Sequence, residues 1–291
     1  MQTYIRLRDS GYPCELVYKF PESGILVAHR ASLPFAFEPN PELLIVAIKA
    51  DYDWHPYAQV QIVQNERETG ERWNSHFIPL WTQLGLIPRQ ASRADRFENI
   101  RYYGISYNLA TEMKEPQWQE DLAKLGLHWA LASQPAWHDY SETDAVIAVR
   151  DFSTSAIHHH KPASKLFNAW QAHVPVILGA ESAYRAERRS PLDYIEVTNY
   201  AEAIAAVKRL RDNTNLRQAM IQNGVRRGLE MSVGAITARW ISFLNKVAIP
   251  AYEAWRSQPR WQQDAFLLAR HARMKKSGAL KRIQKKLGQQ D

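Results

Sequence analysis

A chain of 291 residues with 45% apolar content is long enough to build one large core or two small ones. No run approaches the roughly 20 apolar residues of a membrane helix, and the polar start Met1–Arg8 carries no secretory signal. The single cysteine, Cys14, excludes an internal disulfide, so a cytoplasmic location is expected. The net charge of +7 is unevenly placed: from Trp255 onward ten Lys and Arg face only Asp264 and Asp291, a net of +8, leaving −1 for everything before. A near-neutral body argues against nucleic acid as partner, and a basic end suggests a surface-binding helix.

In chain order, Tyr4–Asp9 reads as the end of a helix closed by Gly11. Cys14–Tyr18, Ile25–Ala28, Leu43–Ile48, Val60–Val63 and His76–Ile78 read as strands, and their continuous apolar runs suit parallel strands buried on both faces. Leu86–Glu98 is polar and aperiodic and reads as a linker. A second series follows: strands at Ile100–Tyr103, His128–Ala132, Ala145–Val149, Val174–Leu178 and Tyr194–Val197, and helices at Gln117–Leu125, Ser164–Ala172, Ala201–Arg211, Asn215–Glu230 and about 233–247. This alternation predicts a doubly wound α/β sheet. The first series begins inside a helix, so its domain is abbreviated, with a strand missing from an edge through which a homodimer could form.

The most informative stretch is Lys161–Val197. A helix carrying Leu166, Ala169 and Trp170 on one face is followed by a strand that runs out into Gly179. Ligands of open α/β sheets sit beyond the carboxyl ends of strands, and a lysine-flanked helix start favours an anion. Arg150, at the end of Ala145–Val149, is placed to meet a phosphate.

The pattern K-x-x-x-K-L-x-N-A-W-x-A-x-V-P-V-I-L-G followed by E-S-A-Y-R resembles the donor-binding half of GT-B glycosyltransferases. It is also similar to the K-L-x-N-A-L-x-A-G-x-V-P-V motif of the α1,3-fucosyltransferases. The resemblance implies two Rossmann-like domains, at 1–90 for the acceptor and 91–245 for the donor, then a crossover helix and basic amphipathic tail at 246–291. It implies transfer of a sugar from a nucleotide-sugar to a hydroxyl acceptor, with no cofactor and no bound metal. By that analogy Lys161, Lys165 and Asn168 contact the donor diphosphate or ribose, and Glu181 faces the nucleotide or sugar. His173 stands where the family usually has Gly, a departure that keeps a second reading open: a non-catalytic sugar-nucleotide or glycan binder.

A transferase of this kind needs a base for the acceptor hydroxyl, and His29, Asp53 and His55 follow strands of the first series. Asp51-Tyr52-Asp53 also spells the short acidic signature of metal-dependent GT-A enzymes, and His158–His160 invites a metal, but three adjacent residues cannot all face one ion. No G-x-G-x-x-G pattern supports a dinucleotide cofactor, which weighs against an epimerase. In the tail, Phe266, Leu267, Arg270, Arg273 and Met274, then Leu280, Ile283 and Leu287, predict an apolar stripe among lysines. Such a helix would lie on an anionic membrane surface, placing the protein at the inner membrane face.

Overall fold

The computed structural model describes residues 1–34, 40–132, 134–152 and 158–272. The chain forms two compact units. One comprises Met1–Gln64, Glu68–Ile78 and the chain from Thr237 on; the other comprises Asn65–Arg67 and Pro79–Ile236. The second is thus an insertion into the first. No helix among the described residues is long and apolar enough to cross a membrane.

The first unit opens with α1 (Gln2–Asp9), which stops where Gly11 adopts a left-handed φ of 78°. Strands β1 (Gly24–His29), β2 (Leu43–Ile48), β3 (Val60–Val63) and β4 (Ser75–Phe77) follow, all parallel and in the spatial order β1-β2-β3-β4. This order never reverses, so the sheet is one half of a doubly wound one. Among the described residues β1 pairs only with β2, and its other edge has no strand. The strand expected at Cys14–Tyr18 does not form: Tyr18 is 93% exposed, and the three-residue apolar run Leu16–Tyr18 between Glu15 and Lys19 is too short to bury a face.

The second unit holds β5 (Asn99–Tyr103), α2 (Pro116–Lys124), β6 (His128–Ala132), β7 (Ala145–Ala148), α3 (Ser164–Gln171), β8 (Val176–Gly179), α4 (Ser182–Glu187), β9 (Ile195–Val197), α5 (Tyr200–Asp212) and α6 (Thr214–Leu229). Its five parallel strands lie in the order β6-β5-β7-β8-β9. The chain leaves β5 in one direction to make β6, then returns to the other side for β7. This is a doubly wound sheet with its topological switch point between β5 and β7. Ile100, Val146, Ile147, Ile177 and Leu178 are fully buried in the sheet, with Leu166 and Trp170 of α3 packed against it.

The stretch read as a linker, Leu86–Glu98, is instead part of the second unit. Its polarity has a local cause: Arg89 and Arg93 reach inward to the buried carboxylate of Asp144. Arg93 donates through Nε and Nη2, at 2.8 and 2.6 Å, and the backbone N–H groups of Glu98 and Asn99 complete the shell at 2.9 Å each.

The chain then returns to the first unit through α7 (Val233–Phe243), a π-helical turn at Leu244–Ala248 and α8 (Ile249–Ser257). Pro250 lacks an N–H for the helical ladder, and the wider turn just before it absorbs the misfit. This return matters because no described residue of the first unit's strand crossovers is in an α-helix. Cover comes from the stretch after the second unit: α8 lies against β1 and β2, and a further helical stretch, 260–272, follows among the described residues. Leu267 packs on the core of Leu26, Leu33, Ile45, Ala47, Tyr57 and Ala58. Residues Arg273, Met274, Leu280, Ile283 and Leu287 of the predicted tail stripe lie outside the described residues.

Candidate functional site

At the switch point, β5 ends in Tyr103 and the chain turns at Gly104, whose φ is 157°. A Cβ there would stand 2.9 Å from the Tyr102 hydroxyl, so only glycine lets the backbone pass. That hydroxyl donates to the carbonyls of Asn108 at 3.1 Å and Ile105 at 3.3 Å, pinning the β5 exit loop from beneath. The Lys165 ammonium, from the first turn of α3, lies 5.4 Å from the centre of the Tyr102 ring. Burial lifts the Tyr102 hydroxyl to about 12; Arg150 opposes this and Glu181 adds to it.

β7 runs out through Val149 into Arg150. Gly179 at the end of β8 lets the two strand ends approach, since a Cβ there would stand 3.2 Å from Val149 Cγ1. Arg150 Nε donates to Glu181 Oε2 at 3.0 Å, with side chains only 13% and 6% exposed. Burial opposes the guanidinium's charge, but the Glu181 carboxylate and the hydroxyls of Tyr184 and Tyr102 outweigh it and raise its pKa. Beneath the pair, burial drives the Tyr184 hydroxyl well above its ordinary value. Asn65 Nδ2 donates to the Lys161 carbonyl at 3.2 Å and to the Ser182 hydroxyl at 2.9 Å, tying the approaches to α3 and α4 together. The ends of β7 and β8 and the first turn of α3 thus present Arg150, Glu181 and Lys165 around Tyr102 of β5. His158 stands 3.7 Å from Asp151 on the same β7–α3 connection.

In the first unit, His29 ends β1 and is exposed; its Nδ1 accepts from the Ala31 N–H at 3.2 Å. Its ring meets Tyr52 edge-on at 5.6 Å. Arg30, buried, donates from Nε to the Asp53 carbonyl at 3.0 Å and from Nη1 to that of Leu33 at 2.9 Å. Arg30 therefore holds the β1 and β2 exits side by side, which brings exposed His29 and Asp53 to one edge. His55 is not with them. It is 0% exposed, and burial, with the nearby Arg30 charge, takes its imidazole down to about 4. A substrate hydroxyl has no path to a ring that presents no surface.

No protein-family model matches this sequence, and a comparison with curated proteins returns no match either. Solved structures do match. Sucrose-phosphate synthase from Thermosynechococcus elongatus superposes with a TM-score of 0.52 at 13% identity, over 85% of this chain and 76% of that one. Anabaena HepE in complex with UDP gives 0.51 at 10% identity, over 70% and 73%. TarM gives 0.53 at 9%, over 84% of this chain but 57% of its own. The fold is that of the GT-B glycosyltransferases.

Within this GT-B fold the donor-side residues expected from sequence divide. Arg150, Lys165 and Glu181 converge; Lys161 is half-buried two residues before the α3 N-cap. Asn168 turns elsewhere: its Oδ1 accepts from the Gln83 N–H at 3.0 Å, and its amide meets the buried Tyr140 hydroxyl. It fastens the segment after Pro79 to α3. Sequence reading missed Tyr102, Asn65 and Tyr184. The string Tyr102-Tyr103-Gly104 at a strand end was a usable signal for the first; Asn65 had none. His173 takes φ 59°, the left-handed conformation that the family's usual Gly would supply freely.

Proposed function

We propose that this chain binds a nucleoside-diphosphate sugar at the carboxyl ends of β5, β7 and β8 and transfers the sugar to a hydroxyl acceptor without a bound metal. The observation that carries this reading is the convergence of Arg150, Lys165 and Glu181 at a topological switch point. In it, Lys165 and Lys161 hold the diphosphate and offset the charge that develops on it as the sugar departs. Arg150, tethered by Glu181, offers its remaining N–H groups to a phosphate oxygen. The HepE structure with UDP in a similar fold makes a uridine donor the first to try. His29 or Asp53 takes the acceptor proton; partial desolvation lowers the pKa of the otherwise exposed His29, which favours the neutral imidazole such a base needs.

Calorimetry against UDP, GDP and their sugars tests the donor site. Lys165→Ala is expected to weaken nucleotide binding by about 1.5–3 kcal/mol, the range for a charge-assisted hydrogen bond. Unchanged affinity in this variant and in Arg150→Ala removes the site. One observation favours a second reading: the Arg150–Glu181 pair neutralises the site's best-placed guanidinium. A non-catalytic binder of the same nucleotide would keep the affinity, yet release no nucleoside diphosphate with any hydroxyl acceptor.

A further inference from the structure

The helical stretch 260–272 has two apolar faces, and among the described residues only one packs against the first unit. Inward, Phe266 packs edge-on against Trp255 at 5.3 Å, Leu267 joins the core, and buried Gln263 donates to the Trp255 carbonyl at 2.8 Å. Arg270 lies 5.0 Å over Trp73, and His271 Nδ1 meets the Tyr57 hydroxyl. These residues include Phe266, Leu267 and Arg270 of the stripe that sequence assigns to a membrane, so that stripe is committed to the first unit. On the opposite side, Trp261, Ala265, Leu268 and Ala272 recur at i, i+4, i+7 and i+11, a strip about 60° wide at helical spacing. All four are exposed, Trp261 by 68% and Leu268 by 69%. A face meant for water would carry charge there.

We propose that this outward strip is a docking surface for an anionic lipid bilayer. The charge commits the occupant: from Trp255 onward the sequence carries +8, against −1 before it, and Arg273, Lys275 and Lys276 follow directly on Ala272. Basic side chains near an anionic leaflet each strengthen binding by about fivefold. Tryptophan is the side chain most at home at the headgroup level. A single-stranded nucleic acid would stack on Trp261 but gains little from Leu268 and two alanines, which present no aromatic plane. A bilayer takes all four. The proposal is independent of the sugar-transfer reading, and nucleotide binding in the same preparation stands or falls separately.

The test uses the full chain with vesicles of phosphatidylcholine, with and without phosphatidylglycerol, and a ribo-oligonucleotide in parallel. The chain is expected to sediment with the anionic vesicles only, to be released by salt, and to show a blue shift in tryptophan emission. Combining Trp261→Ser with Leu268→Ser should weaken vesicle binding by roughly tenfold or more, as expected for two apolar side chains withdrawn from lipid. The melting temperature should stay unchanged, because both side chains are exposed. Absence of binding, equal binding by the double variant, equal binding to neutral vesicles, or tighter binding to the oligonucleotide would each overturn it.

Discussion

Asp144 shows how far a single carboxylate can organise its surroundings. Its side chain is 1% exposed, and it receives Arg89, Arg93 and two backbone N–H groups. Burial alone would raise its pKa, but the Arg93 hydrogen bonds, the N–H groups of Glu98 and Asn99 and the Arg93 charge prevail, and the carboxyl is held below its ordinary value. A depressed folded-state pKa means that this stabilisation is complete above the unfolded value, about 4, and fades as pH falls through the folded one. Asp144→Asn leaves two guanidiniums facing a neutral amide, and the expected cost is about 3–5 kcal/mol. Urea denaturation at neutral pH checks the size. Repeating it below pH 4 checks the sign: the gap between parent and variant should narrow. Equal stability at neutral pH would mean that the cluster is ornamental. None of this was legible in sequence, because an ion cluster built across 89–98 and 142–144 has no period and reads as polar linker. The same limit hid His55: its position after a strand was legible, its burial was not.

At the scale of elements, α3 is where sequence and structure meet most closely. Its apolar stripe, its stop and the following strand were all readable, since periodicity and a breaking residue are local properties. Its end is a six-residue cap: the Val174 N–H returns to the Ala169 carbonyl at 3.1 Å and the His173 N–H to that of Trp170 at 3.2 Å. That geometry requires the left-handed conformation at His173, which costs a non-glycine residue roughly 1–2 kcal/mol. Glycine would lose more chain entropy on folding, about 0.4–1 kcal/mol, so the first term wins. His173→Gly is therefore expected to stabilise the protein by about 0.5–1 kcal/mol in thermal or urea unfolding, and a loss of stability would show the imidazole to have its own role. What the sequence did not announce is the mate of α3. Gly224 of α6 sits where a Cβ would be 3.0 Å from Trp170 Cδ1, and Gly228 lies against Gln171. Two glycines inside a helix read as weak points until the neighbour they admit is known.

For the whole molecule, the fold class was legible from the alternation of short apolar runs with amphipathic segments, and the motif-bearing stretch Lys161–Val197 falls within the second unit. The path of the chain was not, because whether a sheet finds its cover nearby or hundreds of residues away leaves no local trace. The second unit is built from one nearly continuous stretch, Pro79–Ile236, while the first needs both ends of the chain. A chain ending at Ile236 is thus expected to keep a protease-resistant second unit while the segment 1–64 is cut readily, as limited proteolysis with mass spectrometry would record. Protection of 1–64 in that shortened chain would mean that its parallel sheet is stable without α8 and 260–272.

The same arrangement sets a clock during synthesis. The sheet of the first unit leaves the ribosome early, yet Trp255, whose indole donates to the Pro41 carbonyl, and Leu267, which closes the core over Ile45, emerge only after the whole inserted unit. For that interval β1–β4 are a nascent apolar surface without a lid, the kind of segment that is prone to aggregation and that chaperones shield. The unit that holds His29 and Asp53 would then mature after the inserted one, so, on the function proposed above, newly made chains would bind nucleotide before they could turn it over.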